Sequence, residues 1–279
     1  MLYTVTKIIG EYLENATLAD VTRKQSGYHL KKFIEYFGRK RAANISGADL
    51  AEFVERERRH GLAMTSIATR VRIFRAVIHW ALRTGRINVC CVDNYRLPKI
   101  KVRRVAPPDE SELRKMLNVC SPHIEKAIRI GWQLGCRIGP SELFSLRWDD
   151  VDLQARIIRM PNAKKGAESD CRVLPIPDAL LARMKEWQKD SEFVISWHGK
   201  KVGSIKKAFD AARKRAGISR KFTPYSLRHA FATQALGNGA PIKGVCAVMG
   251  HSSPRMVLEV YQHINFETMK KTIEKVEAI

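Results

Sequence analysis

The chain has 279 residues, 45% of them hydrophobic, with 50 Lys and Arg against 28 Asp and Glu, a formal excess of +22. That length suits two modest domains, and that apolar share excludes wholesale disorder. No apolar run reaches the roughly 18 residues a membrane span needs, and the start lacks the basic-then-apolar layout of a signal peptide, so the expectation is a cytoplasmic chain without a membrane partner. The six cysteines, with Cys90 and Cys91 adjacent, contain no CxxC pair. They suit neither a zinc site nor a disulfide framework and read as small buried hydrophobes in a reducing compartment. Positive charge in such excess implies a polyanionic partner, because each phosphate neutralised by Lys or Arg releases counterions. Nucleic acid fits better than a membrane surface, since the charge is spread along the chain rather than gathered on one amphipathic helix.

Residues 1–105 carry 21 Lys and Arg and 9 Asp and Glu. Helices are expected near 4–13, 20–37, 47–60 and 62–84, the third capped by Ser46 with Asp49 three residues on. In the fourth, Val71, Phe74, Ile78 and Leu82 recur at helical spacing as a core stripe. Arg72, Arg75, His79, Arg83 and Arg86 line a second, basic stripe suited to a bundle pressed against DNA. Residues 94–108 hold five basic residues, no acidic one and three prolines. They read as an extended linker over 95–108 that runs along a phosphate backbone through Lys99, Lys101, Arg103 and Arg104. The domains expected are therefore 1–94, this linker, and 109–279.

After Pro107-Pro108 a cap at Asp109 opens a helix to about 119; others are expected over 122–136 and 140–146. The period then changes. Arg156–Met160 and Cys171–Ile176 alternate like two strands of a hairpin around a loop containing Gly166. Helical patterns return near 178–189, 203–216, 223–237 with Thr223 as cap and Pro224 in the first turn, 241–249, 254–263 and 266–277. The last has an apolar stripe, Met269, Ile273 and Val276, suited to docking.

Arg137 ends an apolar helix, where it serves either as a C-terminal charge or as a buried anion ligand. Arg228 lies three residues beyond Tyr225, on the same helical face. Gly250-His251 breaks the helix ending at Met249, and Tyr261 lies ten residues later. Spacing alone does not make these converge. However, Gly135-Cys136-Arg137-Ile138-Gly139-Pro140-Ser141-Glu142-Leu143, Ser226-Leu227-Arg228-His229-Ala230-Phe231-Ala232-Thr233, Met249-Gly250-His251-Ser252-Ser253 and Val260-Tyr261-Gln262-His263 resemble, in order, the conserved boxes of the tyrosine recombinase (phage integrase) family. The resemblance covers about 110–265.

The resemblance implies a mainly α fold with a small β-hairpin or sheet: an N-terminal helical bundle, the SAM-like core-binding domain, followed by a mixed α+β catalytic domain. It implies a site-specific recombinase, an integrase of a phage or other mobile element, that cleaves and rejoins duplex DNA through a 3′-phosphotyrosyl intermediate. Tyr261 is then the nucleophile, Arg137 and Arg228 hold the non-bridging phosphate oxygens, and His251 contacts the phosphate. Lys164, or next to it Lys165, protonates the departing 5′ oxygen. Glu142 orients Arg137 or caps the helix after it. Because the ester conserves the phosphodiester energy, no metal and no cofactor is expected. The partners implied are double-stranded DNA, a homotetramer on two sites, and accessory DNA-bending or directionality proteins, in a bacterial host. One departure stands out. The family usually has His three residues before the second arginine, and this chain has Tyr225, a poor general base given its reference pKa near 10. A Xer-like dimer resolvase, a type IB topoisomerase activity and a catalytically weak regulatory relative are the alternatives.

Overall fold

The computed structural model describes residues 3–90, 92–98, 105–162, 171–187 and 189–251. The chain divides into two compact units, Met1–Arg103 and Arg104–Ile279, with the division inside the basic proline-containing segment.

The first unit is helical among its described residues. Its helices are α1 (Val5–Asn15), α2 (Asp20–Phe37), α3 (Gly47–Arg59) and α4 (Met64–Arg83). The Thr4 hydroxyl accepts from the Lys7 amide at the head of α1. Ser46 and Asp49 form a reciprocal capping box at α3 that meets two otherwise unpaired backbone amides. The core is built on Phe33, whose ring stacks at 4.1 Å on Phe53 and at 4.1 Å on Phe74, tying α2 to α3 and α4. Ile8, Leu30, Leu50, Ile67 and Val71 close around them without exposure. Each such burial is worth about 1.5–3 kcal/mol.

The second unit opens with α5 (Glu110–Leu117), on a capping box between Asp109 and Glu112, and α6 (Pro122–Leu134), with Pro122 in its first turn. Gly135 terminates α6 in the left-handed region at φ 58°. A Cβ there would stand 2.3 Å from the Phe231 ring, and one on Gly131 would stand 2.6 Å from Ile138 and 3.2 Å from Leu227. Two glycines thus let α6 lie close against α9 (Ser226–Gly237). The helix expected over 140–146 does not form. The Arg137 carbonyl accepts from both Gly139 and Leu143, Glu142 leaves helical space at φ −139° and ψ −88°, and only a short 3-10 turn, Leu143–Ser145, follows.

The alternating segments make an antiparallel sheet of β1 (Val151–Asp152), β2 (Ile157–Pro161) and β3 (Cys171–Pro175), with Met160 opposite Arg172 and Pro161 opposite Cys171. Next come α7 (Asp178–Glu186), the two-stranded hairpin β4 (Ser196–Trp197) with β5 (Lys200–Lys201), and α8 (Lys206–Arg215). Thr223 does not cap α9. Its own amide donates to Ser226 Oγ, and residues 223–225 form a turn that leaves Tyr225 as the residue before the helix. α10 (Ile242–Met249) ends at Gly250, φ 65°. The helices expected over 254–263 and 266–277 lie outside the described residues. The fold is thus mainly helical with small sheets, and its second core runs from Leu113 and Ile124 through Phe144, Ile158 and Leu174 to Phe209 and Leu227.

Candidate active site

Glu142 is the centre of the polar cluster in the second unit, with 0% of its side chain exposed. One carboxylate oxygen accepts from Arg137 Nη1 at 2.9 Å. The other accepts from the Arg137 backbone amide at 2.9 Å and from Arg172 Nη2 at 2.7 Å. Arg228 Nη1 stands 4.0 Å from it. The turn over 139–142 that replaces a helix at 140–146, closed by the Glu142 amide on the Gly139 carbonyl and the Leu143 amide on the Arg137 carbonyl, is what turns Glu142 inward to meet the end of α6. Of its two expected roles, it performs the orienting one.

Arg228 is held more tightly than Arg137. Its Nη1 donates to the Gly135 carbonyl at 2.8 Å and its Nη2 to the Met249 carbonyl at 2.7 Å, with 1% of the side chain exposed. Each Nη keeps a second N–H beyond the carbonyl it serves, and Nε has no hydrogen-bond partner among the described residues. Burial pulls its pKa down, Glu142 raises it, and the neighbouring guanidinium groups lower it further. Arg137, with 27% of its side chain exposed, is the more accessible of the pair. His251 is brought to the same place by the left-handed turn at Gly250, its amide donating to the Cys246 carbonyl at 3.0 Å. Cys136, beside Arg137, is fully buried and its thiol pKa is pushed up to about 12, first by burial and then by Glu142, which leaves it a neutral packing group.

Arg172 belongs to this cluster, although sequence reasoning gave it no role. Its Nε donates to the Val248 carbonyl at 2.8 Å, Nη1 to Asn162 Oδ1 at 3.1 Å and to the Pro161 carbonyl at 3.4 Å, and Nη2 to Glu142. A signal was present in the alternation of the strand, since residues 172 and 174 share a face and Leu174 is buried. A charge on that face needs a partner.

Tyr225 is 46% exposed and therefore not a core residue. Its ring meets His229 edge-to-face at 5.1 Å, and its carbonyl accepts from the Arg228 amide at 3.2 Å. Burial, and then the charge of Arg228, hold the His229 pKa below the ordinary imidazole value. Tyr261, Lys164 and Lys165 lie outside the described residues, as do Lys99, Lys101, Arg103 and Arg104.

In the first unit the basic stripe is divided. Arg72 and Arg83 are exposed. Arg75 instead donates to the carbonyls of Val92 and Tyr95. Arg86 pairs with Glu11 at 2.5 Å and covers the Trp80 ring at 4.3 Å. His79 Nε2 lies 3.1 Å from Asp93 Oδ1, and with Cys90 these form the only trio of potential metal donors among the described residues, all within 4.8 Å. All three are already linked through Asp93, whose other oxygen accepts from Cys90 Sγ at 3.9 Å.

The Phage integrase family matches residues 108–268. The tyrosine recombinase XerC of Xanthomonas axonopodis pv. citri (strain 306) is 28% identical over 245 residues, covering 83% of this chain and 78% of that protein. Among solved structures, the Tn1549 transposon integrase in complex with a circular intermediate DNA aligns with a TM-score of 0.82 at 18% identity, over 99% of this chain and 100% of that one. The lambda integrase tetramer bound to a Holliday junction aligns at 0.79 and 18% identity, over 94% and 78%. These two likenesses establish the fold. The match to the family spans more than half of the sequence and includes the segments that bring Arg137, Arg172 and Arg228 around one carboxylate, so the chain belongs to the phage integrase family and is a tyrosine-type site-specific recombinase.

Proposed function

We propose that this recombinase moves a mobile element into or out of a bacterial chromosome, working in the cytoplasm as a homotetramer on two duplex sites with accessory DNA-bending or directionality proteins. The observation that carries the chemistry is the convergence of Arg137 and Arg228 on Glu142, with Arg228 also bonded to the Met249 carbonyl two residues before His251. Guanidinium groups stay charged and offer planar donors to phosphate oxygens. In each round Tyr261 gives its phenol proton to water, its oxygen bonds to phosphorus, and the bond from phosphorus to the 5′ oxygen breaks. Lys164 supplies the proton that the 5′ oxygen takes up. Arg137 and Arg228 hold the non-bridging oxygens and His251 donates to one of them, so that fixed charges meet the charge that develops. The exposed Tyr225 hydrogen-bonds near the phosphate rather than acting as base. Lys99, Lys101, Arg103 and Arg104, with Arg72 and Arg83 of the first unit, neutralise backbone phosphates.

The lambda integrase tetramer on a Holliday junction supports the tetramer, and the Tn1549 integrase supports the mobile-element reading. The similarity to XerC favours a second reading, a Xer-like dimer resolvase with the same chemistry on different DNA. A nicked duplex carrying the sequence that flanks this gene distinguishes these readings. The chain should form a covalent adduct on it, seen on a denaturing gel, and Tyr261→Phe should bind it equally but form none. Cleavage confined to a chromosomal resolution site would favour the second reading, and an adduct surviving in Tyr261→Phe would assign the nucleophile elsewhere.

A further inference from the structure

We propose that His79, Cys90 and Asp93 hold a divalent transition-metal ion of the zinc type, which ties the segment leaving the first unit to α4. His79 belongs to α4, Asp93 lies in the short 3-10 turn Val92–Asn94, and Cys90 comes just before that turn. One donor atom from each lies within 4.8 Å of the other two. His79 Nε2 stands 3.1 Å from Asp93 Oδ1, and Cys90 Sγ stands 3.9 Å from Asp93 Oδ2. Tetrahedral zinc, with ligand bonds of about 2.0–2.3 Å, keeps neighbouring donors about 3.4–3.6 Å apart. The two separations bracket that spacing, so small side-chain rotations admit an ion between the donors. The turn is anchored independently of any ion. Val92 is fully buried, and Arg75 donates to the carbonyls of Val92 and Tyr95. Asp93 therefore faces His79 in a preformed arrangement, and both are exposed enough for an ion to enter from solvent.

The donor set selects the metal. Thiolate, imidazole and carboxylate together suit Zn2+, whereas Mg2+ and Ca2+ take oxygen donors. Three protein donors leave the fourth tetrahedral position to water. On binding, the Cys90 thiol releases its proton to solvent and its sulfur bonds to the ion. Thiolate and carboxylate then cancel the two charges of the ion. That balance matters because Arg75 and Arg83 stand one turn to either side of His79 on α4 and disfavour an uncompensated cation. An exposed His–Asp pair gains little in water, and a thiol is a weak donor to add to it. A metal ion uses all three groups. The sequence pattern does not advertise such a site, since Cys90 is joined by a histidine from the helix and an aspartate from the turn rather than by a second cysteine.

The test uses the full-length chain without a tag, reduced and freed of metal by chelation, with Co2+ as the probe. Tetrahedral Co2+ carrying a thiolate absorbs in the near ultraviolet and the visible, and absorption should saturate at one ion per chain and vanish when Zn2+ displaces the cobalt. Cys90→Ala should remove the near-ultraviolet thiolate band, while Cys91→Ala should bind as wild type does. His79→Ala and Asp93→Asn should each weaken binding by at least the roughly 10–100-fold that loss of an outer-shell partner costs. Excess Zn2+ should also raise the melting temperature of wild type and leave that of Cys90→Ala unchanged. Should Cys90→Ala melt below the titration temperature, Cys90→Ser takes its place, and it too should lack the thiolate band. Failure of wild type to bind Co2+, binding without a thiolate band, wild-type affinity in His79→Ala or Asp93→Asn, or loss of the band in Cys91→Ala would each overturn the proposal.

Discussion

Replacing Glu142 by Gln should damage the second unit far more than the loss of one oxygen's charge suggests. The carboxylate is unexposed and accepts from Arg137 twice and from Arg172 once, with Arg228 4.0 Å away. A glutamine amide keeps one acceptor, and its NH2 group must then face donors. Whichever way it is turned, at least one N–H of Arg137 or Arg172 loses its partner, and three guanidinium groups lose their common counterion. Breaking a buried pair by removing one member costs about 3–5 kcal/mol. Arg137 is partly solvated and screens some of the loss, which places the expectation near the lower end, about 3 kcal/mol. At roughly 2–4 °C per kcal/mol for a unit of this size, the melting temperature should fall by roughly 10 °C. Scanning calorimetry measures this, and added sulfate supplies the diagnostic. With the carboxylate charge gone, the three arginines bind a small anion more tightly, so sulfate should restabilise Glu142→Gln more than wild type. A shift under about 2 °C, less than 1 kcal/mol on that scale, or an equal response of both proteins to sulfate, would refute the arrangement of charges described above.

Affinity for duplex DNA should fall steeply with salt, and alanine at Lys99, Lys101, Arg103 and Arg104 together should flatten the log–log slope by up to about 3.6, four contacts at about 0.9 each, for any sequence. Filter binding across a salt series decides it; an unchanged slope removes the linker from the interface. Arg72→Ala with Arg83→Ala should flatten the slope further, whereas Arg75→Ala and Arg86→Ala should chiefly lower the melting temperature, since their partners are Val92, Tyr95 and Glu11. His229, whose folded pKa lies below the ordinary value of 6.5, takes up its proton more readily when unfolded. Its contribution is complete above that value and is lost as pH falls below it. Melting temperatures between pH 7 and 5 should therefore decline less in His229→Gln than in wild type, and parallel curves would contradict this. At the exposed Tyr225, Phe should leave melting unchanged and slow cleavage modestly, while His should equal or exceed wild type near neutral pH, where imidazole titrates. A silent Phe with a destabilised His would mean that the hydroxyl has no part in the chemistry.

The sequence made the helices readable where signals are local. Ser46 with Asp49 and Asp109 with Glu112 mark helix starts by bonds three residues apart, and the alternation around 156–160 and 171–176 marks the strand pair. Long-range partners were hidden. The basic stripe of α4 carries no acidic residue of its own, but Glu11, 75 residues before Arg86, and Asp93 are delivered by the fold. Likewise Pro140 and the residues after it suit a helix by propensity, and only the demand of Arg137 for a carboxylate explains why Glu142 turns in instead. The hairpin at 196–201 has strands of two residues, too short for any period to show. Resemblance singled out Arg137, Arg228 and His251, but it did not show that Arg137 and Arg228 meet at Glu142. Arg172 was legible in principle from its shared face with Leu174.

A carboxylate at the centre of the proposed phosphate site has a physical reason. Three guanidinium groups packed as closely as Arg137, Arg172 and Arg228 would repel one another strongly in a buried place, and burial already lowers the pKa of Arg228. Glu142 cancels one of the three charges and fixes the geometry of the rest by direct hydrogen bonds to two of them. Two positive charges remain. A phosphodiester brings one negative charge, and it gains a second as the phenol oxygen adds to phosphorus in the proposed reaction. The fixed surplus therefore matches the transition state better than the ground state, which is the condition for raising the rate rather than merely tightening binding. Without Glu142 the third positive charge would bind the resting phosphate more firmly as well. The same residue that lets three arginines be buried together thus sets the surplus at the value the chemistry can use.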